Sequence, residues 1–274
     1  MRLSLSARIA EKYFAKREPA IDLDAFLEVA RSGGYSAICM RASQIGLATP
    51  AEVRHERIAR LGASGLAVSM CTADFAIPEN SDEGPLALRN ITPYLDLAQA
   101  MGARVIRVAI RKDEDIPWVR RACDEAAERS LVLAHQCHNK SLFETVESCI
   151  ETTRLINRNN FGLTYEPANL ELCGDPYGRG AIQRLAPLIV NVYLQNQRIH
   201  PAGKSQMITW SRGTVCFDQL PIWEAGGIDF AEVVGALKEI GYGGFVTVHQ
   251  AMLGDPAEDA RRTADFLREL YPFE

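Results

Sequence analysis

Short runs rich in Val, Ile and Leu recur along this chain, each set off by Gly or polar residues and separated by stretches with helical spacing of apolar positions. The runs are Arg2–Ser6 (RLSLS), Tyr35–Met40 (YSAICM), Leu66–Cys71 (LAVSMC), Arg104–Ile110 (RVIRVAI), Leu131–Gln136 (LVLAHQ), Phe161–Glu166 (FGLTYE), Leu188–Leu194 (LIVNVYL) and Phe245–His249 (FVTVH). Their length and β-branched content predict strands. Between them, Asp22 to Ala30 predicts a helix that ends at Gly33-Gly34. Asp229 to Leu237 predicts another, with a capping Asp, Glu232 three residues later, and a stop at Gly241. Strands alternating with helices require crossover connections and a parallel sheet. Eight such units predict closure into a single α/β domain, a (β/α)₈ TIM barrel, over residues 1–274.

Strand starts fall 27 to 38 residues apart, except the last interval of 57. That interval contains Arg198 to Gly227, rich in Gly, Pro, Trp and Gln. A loop of this length in a compact domain predicts a lid or substrate-binding segment. No low-complexity linker marks a second domain.

Composition narrows the partners. The chain is 47% hydrophobic and 24% charged with net charge −5, and no Lys/Arg-rich run stands out. Phosphate backbones need a concentrated basic surface, so nucleic acid is excluded as an expected partner. No segment approaches the roughly 18 apolar residues of a membrane span. The first nineteen residues turn charged too quickly for a secretory signal. Seven scattered cysteines without a Cys-x-x-Cys pair read as reduced thiols, so the expected location is cytoplasmic.

Barrel enzymes carry their chemistry at strand C-termini, where the βα loops are free to vary. The polar residues closing each strand are Arg41, Asp74, Arg111, Gln136 with His138, Glu166 with Asn169, Tyr193 with Gln195 and Asn196, and His249. Arg198 and His200 in the long loop add candidates. Of the two strand-four arginines, Arg111 at the strand end is the better expected substrate contact than Arg107. Gln136 and His135 alternate, so His135 is expected to face the helices. A Cys137–His138 nucleophilic pair is disfavoured, because adjacent side chains on a strand point opposite ways. His55 lies on a polar helix and is expected in solvent. Trp210 and Trp223 either stack on a sugar face or pin the loop.

Several passages carry a resemblance. FGLTYEPANLELCGDP, GGIDFAEVVGALKEIGYGGFVTVHQ, LVLAHQCHNKSLFETVE and IVNVYLQNQR resemble the closing strand units of the xylose-isomerase-like TIM-barrel superfamily of sugar isomerases and epimerases. The resemblance spans nearly the whole chain and is sharpest from Leu131 onward. It implies a sugar, keto-sugar or polyol substrate, and homo-oligomers are common in the superfamily.

Many members bind one divalent metal through Glu, Asp, His and Glu at the ends of strands five to eight. Position by position, the resemblance puts Gln136, Glu166, Tyr193 and His249 there. One anionic ligand replaces three, so affinity for a hard cation is expected to fall sharply. A rearranged site for Mn, Zn or Co built from Gln136, Glu166 and His249 stays open.

Two mechanisms remain. In one, a metal polarises a substrate carbonyl while Glu166 or His249 moves a proton on the neighbouring carbon. In the other, metal-free, Glu166 and His249 are the catalytic acid/base pair, and Arg41, Arg111 or Arg198 holds the enolate or an acidic group. His138, Asn169 and Gln195 complete the expected substrate contacts. Isomerisation, epimerisation and β-elimination share that first step. A non-catalytic carbohydrate-binding barrel is the rival from another class.

Overall fold

A computed structural model describes residues 1–274 apart from Phe14 and Ala73. The barrel strands are β1 (Arg2–Ser6), β4 (Ala37–Arg41), β5 (Ala67–Thr72), β6 (Val105–Arg107), β7 (Val132–Gln136), β8 (Phe161–Tyr165), β9 (Ile189–Leu194) and β13 (Phe245–Val248). They close in the parallel order β1-β13-β9-β8-β7-β6-β5-β4, with β1 bonded to both β13 and β4. This is a single (β/α)₈ barrel, and each of the eight apolar runs forms one of its strands.

Side-chain alternation decides what faces where. Leu3, Leu5, Ile38, Met40, Leu133, Leu163, Val192, Leu194, Val246 and Val248 belong to the main core. There they pack with Phe26 of α1 (Leu23–Ser32), Val119 of α4 (Ile116–Ala127), Leu237 of α8 (Phe230–Glu239) and Leu267 of α9 (Pro256–Leu270). The intervening positions point inward, where Cys39, Met70 and Tyr193 form a separate small cluster. The interior also holds polar contacts, including Ser4 Oγ to Ser69 Oγ at 2.7 Å and Thr247 Oγ1 to Asn191 Oδ1 at 3.2 Å. Period-two geometry therefore carries Arg41, Arg107, Gln136 and His249 to the inner wall at the C-terminal end.

Helix ends follow the sequence signals. Asp22 and Asp229 cap α1 and α8 by accepting from Ala25 N and Glu232 N, both at 2.9 Å. Gly34 leaves α1 at φ +74°, a conformation glycine adopts without strain.

Two additions decorate the C-terminal end. A hairpin of β2 (Glu11–Lys12) and β3 (Ala15–Pro19) follows β1 and has no counterpart in the sequence reading. The stretch expected as a loop at 198–227 is instead largely a three-stranded antiparallel sheet. Its strands are β10 (Asn196–Ile199), β11 (Ser205–Thr209) and β12 (Gly213–Leu220). Glu144 holds the β11–β12 turn by accepting from Trp210 N at 2.8 Å and Ser211 N at 2.9 Å. Asn139 donates to the Ile208 carbonyl at 2.7 Å from the same side. Gly203 permits the close crossing with β12, since a Cβ there would sit 2.3 Å from Phe217 N. No helix among the described residues is long and apolar enough to cross a membrane.

Candidate active site at the mouth of the barrel

The inward residues at the strand ends converge on one cavity. Its wall includes Arg41, Arg107, Gln136, Glu166, Gln195 and His249, with His138 and Asn169 from the loops that follow β7 and β8. Arg8 and Lys16 come from the segment after β1, and Met207, Phe217 and Gln219 from the antiparallel sheet. That sheet thus roofs the cavity.

Glu166 directly follows β8, the sixth strand of the barrel, and stands just before α6 (Pro167–Leu172), where Pro167 occupies the first turn. It is 1% exposed. Its Oε2 accepts from Asn169 Nδ2 at 2.6 Å and from Gln136 Nε2, while Oε1 has no partner among the described residues. Burial pushes the carboxyl up to about 7, against the lowering effects of Gln136, Arg107 and Asn169. The group is poised to exchange a proton near neutral pH, with one oxygen free to do it.

His249 stacks on Tyr193 with ring centroids 3.9 Å apart and planes 8° from parallel. Its Nδ1 lies 2.9 Å from Ser6 Oγ. Burial, with the nearby Arg41 and Arg107, drives its pKa well below the ordinary histidine value. His138 falls to about 3 for the same first reason, again with Arg107 next. Both imidazoles are neutral at pH 7. His249 therefore presents a neutral ring to the cavity.

Four cations face this space. Arg41 donates to Glu11 Oε1 at 2.7 Å, Ser43 Oγ donates to the same oxygen at 2.8 Å, and Arg8 reaches Oε2 at 3.4 Å. Arg41 Nη1 keeps no partner among the described residues. Arg107, 2% exposed, forms no hydrogen bond or ion pair among the described residues, and its buried Nε is unpartnered. Burial pulls its guanidinium down to about 10, which leaves it cationic at neutral pH. Burial, then Arg8 and Arg41, pulls Lys16 down to about 8.

Three expected contacts lie elsewhere. Regular pairing of β6 stops at Arg107, and the chain then turns away, so Arg111 pairs with Asp82 at 3.0 Å and donates to the Asn80 carbonyl. Arg107 is the inward strand-four arginine, contrary to the preference for Arg111. Arg198 is exposed on β10 and takes no part in the wall, because its strand turns that position outward. His200 is bound to Asp218 within the sheet. The other expectations hold: His135 stacks on Phe143 at 4.2 Å in the core, and Cys137 lies against Cys149. His55 is exposed, and Trp223 takes the Arg262 guanidinium over its ring. Arg8, Lys16 and Arg107 are the cavity cations that strand-end reading missed.

A metal fits this wall poorly. Gln136 offers only a neutral amide oxygen, Tyr193 is hydrogen-bonded to Cys39 at 3.1 Å, and Arg41 and Arg107 put positive charge beside the ligand positions. Among the described residues, no group of three His, Cys, Asp or Glu is placed to hold a metal ion.

A larger groove of about 1030 Å³ opens on the outer rim between Thr145, Asp175, Arg179 and Glu232. Its charges are mostly consumed locally: Arg184 pairs with Glu147, Arg179 with Glu239, and Glu232 accepts from Arg179 N at 2.9 Å. It lies off the strand ends, so the smaller axial cavity is the candidate site.

Solved structures share this architecture at low identity. The probable 3-DHS dehydratase AsbF from Bacillus anthracis superposes with TM-score 0.74 at 16% identity, over 97% of this chain and 98% of that one. An L-ribulose 3-epimerase gives 0.70 at 16%, over 98% and 94%. A xylose isomerase-like TIM barrel protein from Mycobacterium smegmatis, solved with magnesium, gives 0.67 at 14%, over 98% and 96%. No curated protein sequence matches the chain. The family profile described as xylose isomerase-like TIM barrel matches residues 27–270. The chain belongs to the xylose isomerase-like TIM-barrel family.

Proposed function

We propose that this protein is an isomerase or epimerase of a sugar or keto-sugar, working by metal-free abstraction of a proton next to a carbonyl. The observation that carries this reading is Glu166: buried, near-neutral in pKa, with Oε1 unpartnered in the cavity that the Arg107 guanidinium also lines. Glu166 takes the proton from the carbon beside the carbonyl. The cationic wall stabilises the oxyanion of the resulting enediolate, the charge a metal would otherwise neutralise. Neutral His249 hydrogen-bonds a substrate hydroxyl or the same oxygen. Gln136 and Asn169 hold Glu166 in place. Returning the proton to the neighbouring carbon, while His249 passes the hydroxyl proton from one oxygen to the other, completes isomerisation; returning it to the original carbon after the enediolate has turned its other face to Glu166 completes epimerisation.

Elimination is the second reading, since the same carbanion can expel a β-hydroxyl. The dehydratase among the structural neighbours favours it.

The test is proton exchange in D2O. Purified protein is incubated with a panel of ketoses and sugar acids, and ¹H NMR follows the signal next to the carbonyl. Wild type is expected to wash in deuterium with at least one member, and Glu166→Gln to lose that exchange. Wild type that exchanges none of them, or a variant that matches it, sinks the proposal and leaves a barrel that only binds.

A further inference from the structure

The cavity wall carries more positive charge than its reaction needs. Arg8, Lys16, Arg41 and Arg107 line it against one carboxylate, Glu166. Glu11 lies behind the wall and is engaged by Arg41, Ser43 and Arg8. Counting both carboxylates as ionised, four cations face two anions, so the site is cationic within a chain of net charge −5.

A buried cation is normally paired, because removing it from water costs several kcal/mol. Arg107 has no partner among the described residues, and Arg41 keeps Nη1 free after satisfying Glu11. Surface guanidiniums would answer to water. These two, 2% and 1% exposed, answer only to whatever enters the cavity. Lys16 and Arg8 extend the same potential along the hairpin side.

We infer that the substrate carries its own oxyanion, a carboxylate or a phosphate, and that Arg107 with Arg41, Arg8 and Lys16 forms its binding site. The substrate class is therefore an acidic sugar derivative, either a sugar acid or a sugar phosphate, in place of a neutral ketose. The planar guanidinium fork suits two oxygens of one anion, which explains arginine over lysine at these two buried positions. This inference rests on the proposed reaction only for the word substrate. The anion site itself stands on the charge and the missing partners.

Isothermal titration calorimetry at pH 7 and fixed ionic strength tests it with three probes: inorganic phosphate, D-gluconate, and sorbitol as its neutral six-carbon counterpart. At least one anion is expected to bind wild type about 10- to 100-fold tighter than sorbitol. Arg107→Gln is expected to lose that preference and Arg107→Lys to keep part of it. Arg261→Gln, at a surface arginine paired with Asp265, is expected to bind as wild type. Gluconate without phosphate assigns a carboxylate, and phosphate without gluconate assigns a phosphate ester. Circular dichroism checks folding, and Arg107→Met serves as a second variant if Arg107→Gln fails to fold. Anions that bind no tighter than sorbitol, or an Arg107 variant that keeps the preference, overturn the inference. Anion binding without deuterium exchange would sink only the proposed reaction. Exchange on neutral ketoses without anion preference would sink only the anion site.

Discussion

Tyr193 and His249 lie face to face, 3.9 Å between ring centroids, across the paired strands β9 and β13. By resemblance these are two of the four positions at which related barrels place metal ligands. Here the phenol and imidazole satisfy one another by stacking, Ser6 occupies Nδ1, and Cys39 occupies the phenol. His249 lines the cavity, and Tyr193 backs it from the barrel interior.

Metal removal is accordingly expected to change nothing. Dialysis against a chelator should leave both melting temperature and deuterium exchange at their starting values. Near-stoichiometric Mn, Zn or Co by elemental mass spectrometry, lost in Glu166→Ala with His249→Ala, would contradict this.

Glu166→Gln is expected to lower exchange by about 10²- to 10⁴-fold, the usual contribution of a positioned base. In wild type the rate should rise with pH through about 7, as the carboxyl ionises. Anion binding should weaken above about 8, where Lys16 sheds its proton. A rate flat between pH 5 and 8 would remove Glu166 from the chemistry.

The same carboxyl predicts a pH-dependent stability. Its pKa is higher folded than unfolded, so the folded state holds the extra proton between about 4.5 and 7. Stability from this group is therefore present at low pH and lost as pH rises through that window, by about 3 kcal/mol. Glu166→Gln removes the effect. Urea unfolding should find the variant gaining on wild type from pH 5 to pH 8, and parallel curves would show that the carboxyl is not buried.

Arg107 and Glu11 should respond in opposite directions. Replacing the unpaired Arg107 by Met is expected to stabilise the fold by about 1–4 kcal/mol while abolishing function, since the variant no longer buries a lone cation. Glu11→Ala is expected to destabilise it by about 3–5 kcal/mol, because Arg41 loses its only carboxylate partner. Urea midpoints for the two variants check both signs.

The barrel was legible because its strands are apolar runs with periodic spacing, and Asp22, Asp229, Gly34 and Gly241 punctuate the helices as their caps and turns require. Glu166, Gln136, Asn169 and His249 reach the cavity wall because each is a polar residue at or just beyond the end of a barrel strand. Arg107 was passed over because the run RVIRVAI continues for three apolar residues beyond the last regular ladder pair, and nothing in those letters marks where pairing stops. The hairpin Glu11–Pro19 offers no apolar run, so Lys16 carries no signal, and Arg8 lies in the short helical turn Ala7–Ala10 between β1 and that hairpin. The roof sheet did carry one: Val215 and Phe217 alternate with Thr214, Cys216 and Asp218, a half-buried strand pattern read through as loop.

The roofed, inward-facing guanidiniums also govern how an anion arrives. Seen from a distance, the molecule repels a negative ligand through its net charge of −5, whereas the mouth attracts one. At an ionic strength near 0.1 M the screening length is about 10 Å, which silences the distant repulsion and leaves the enclosed attraction largely intact. Capture by this protein should therefore tolerate salt that would cripple an exposed basic patch.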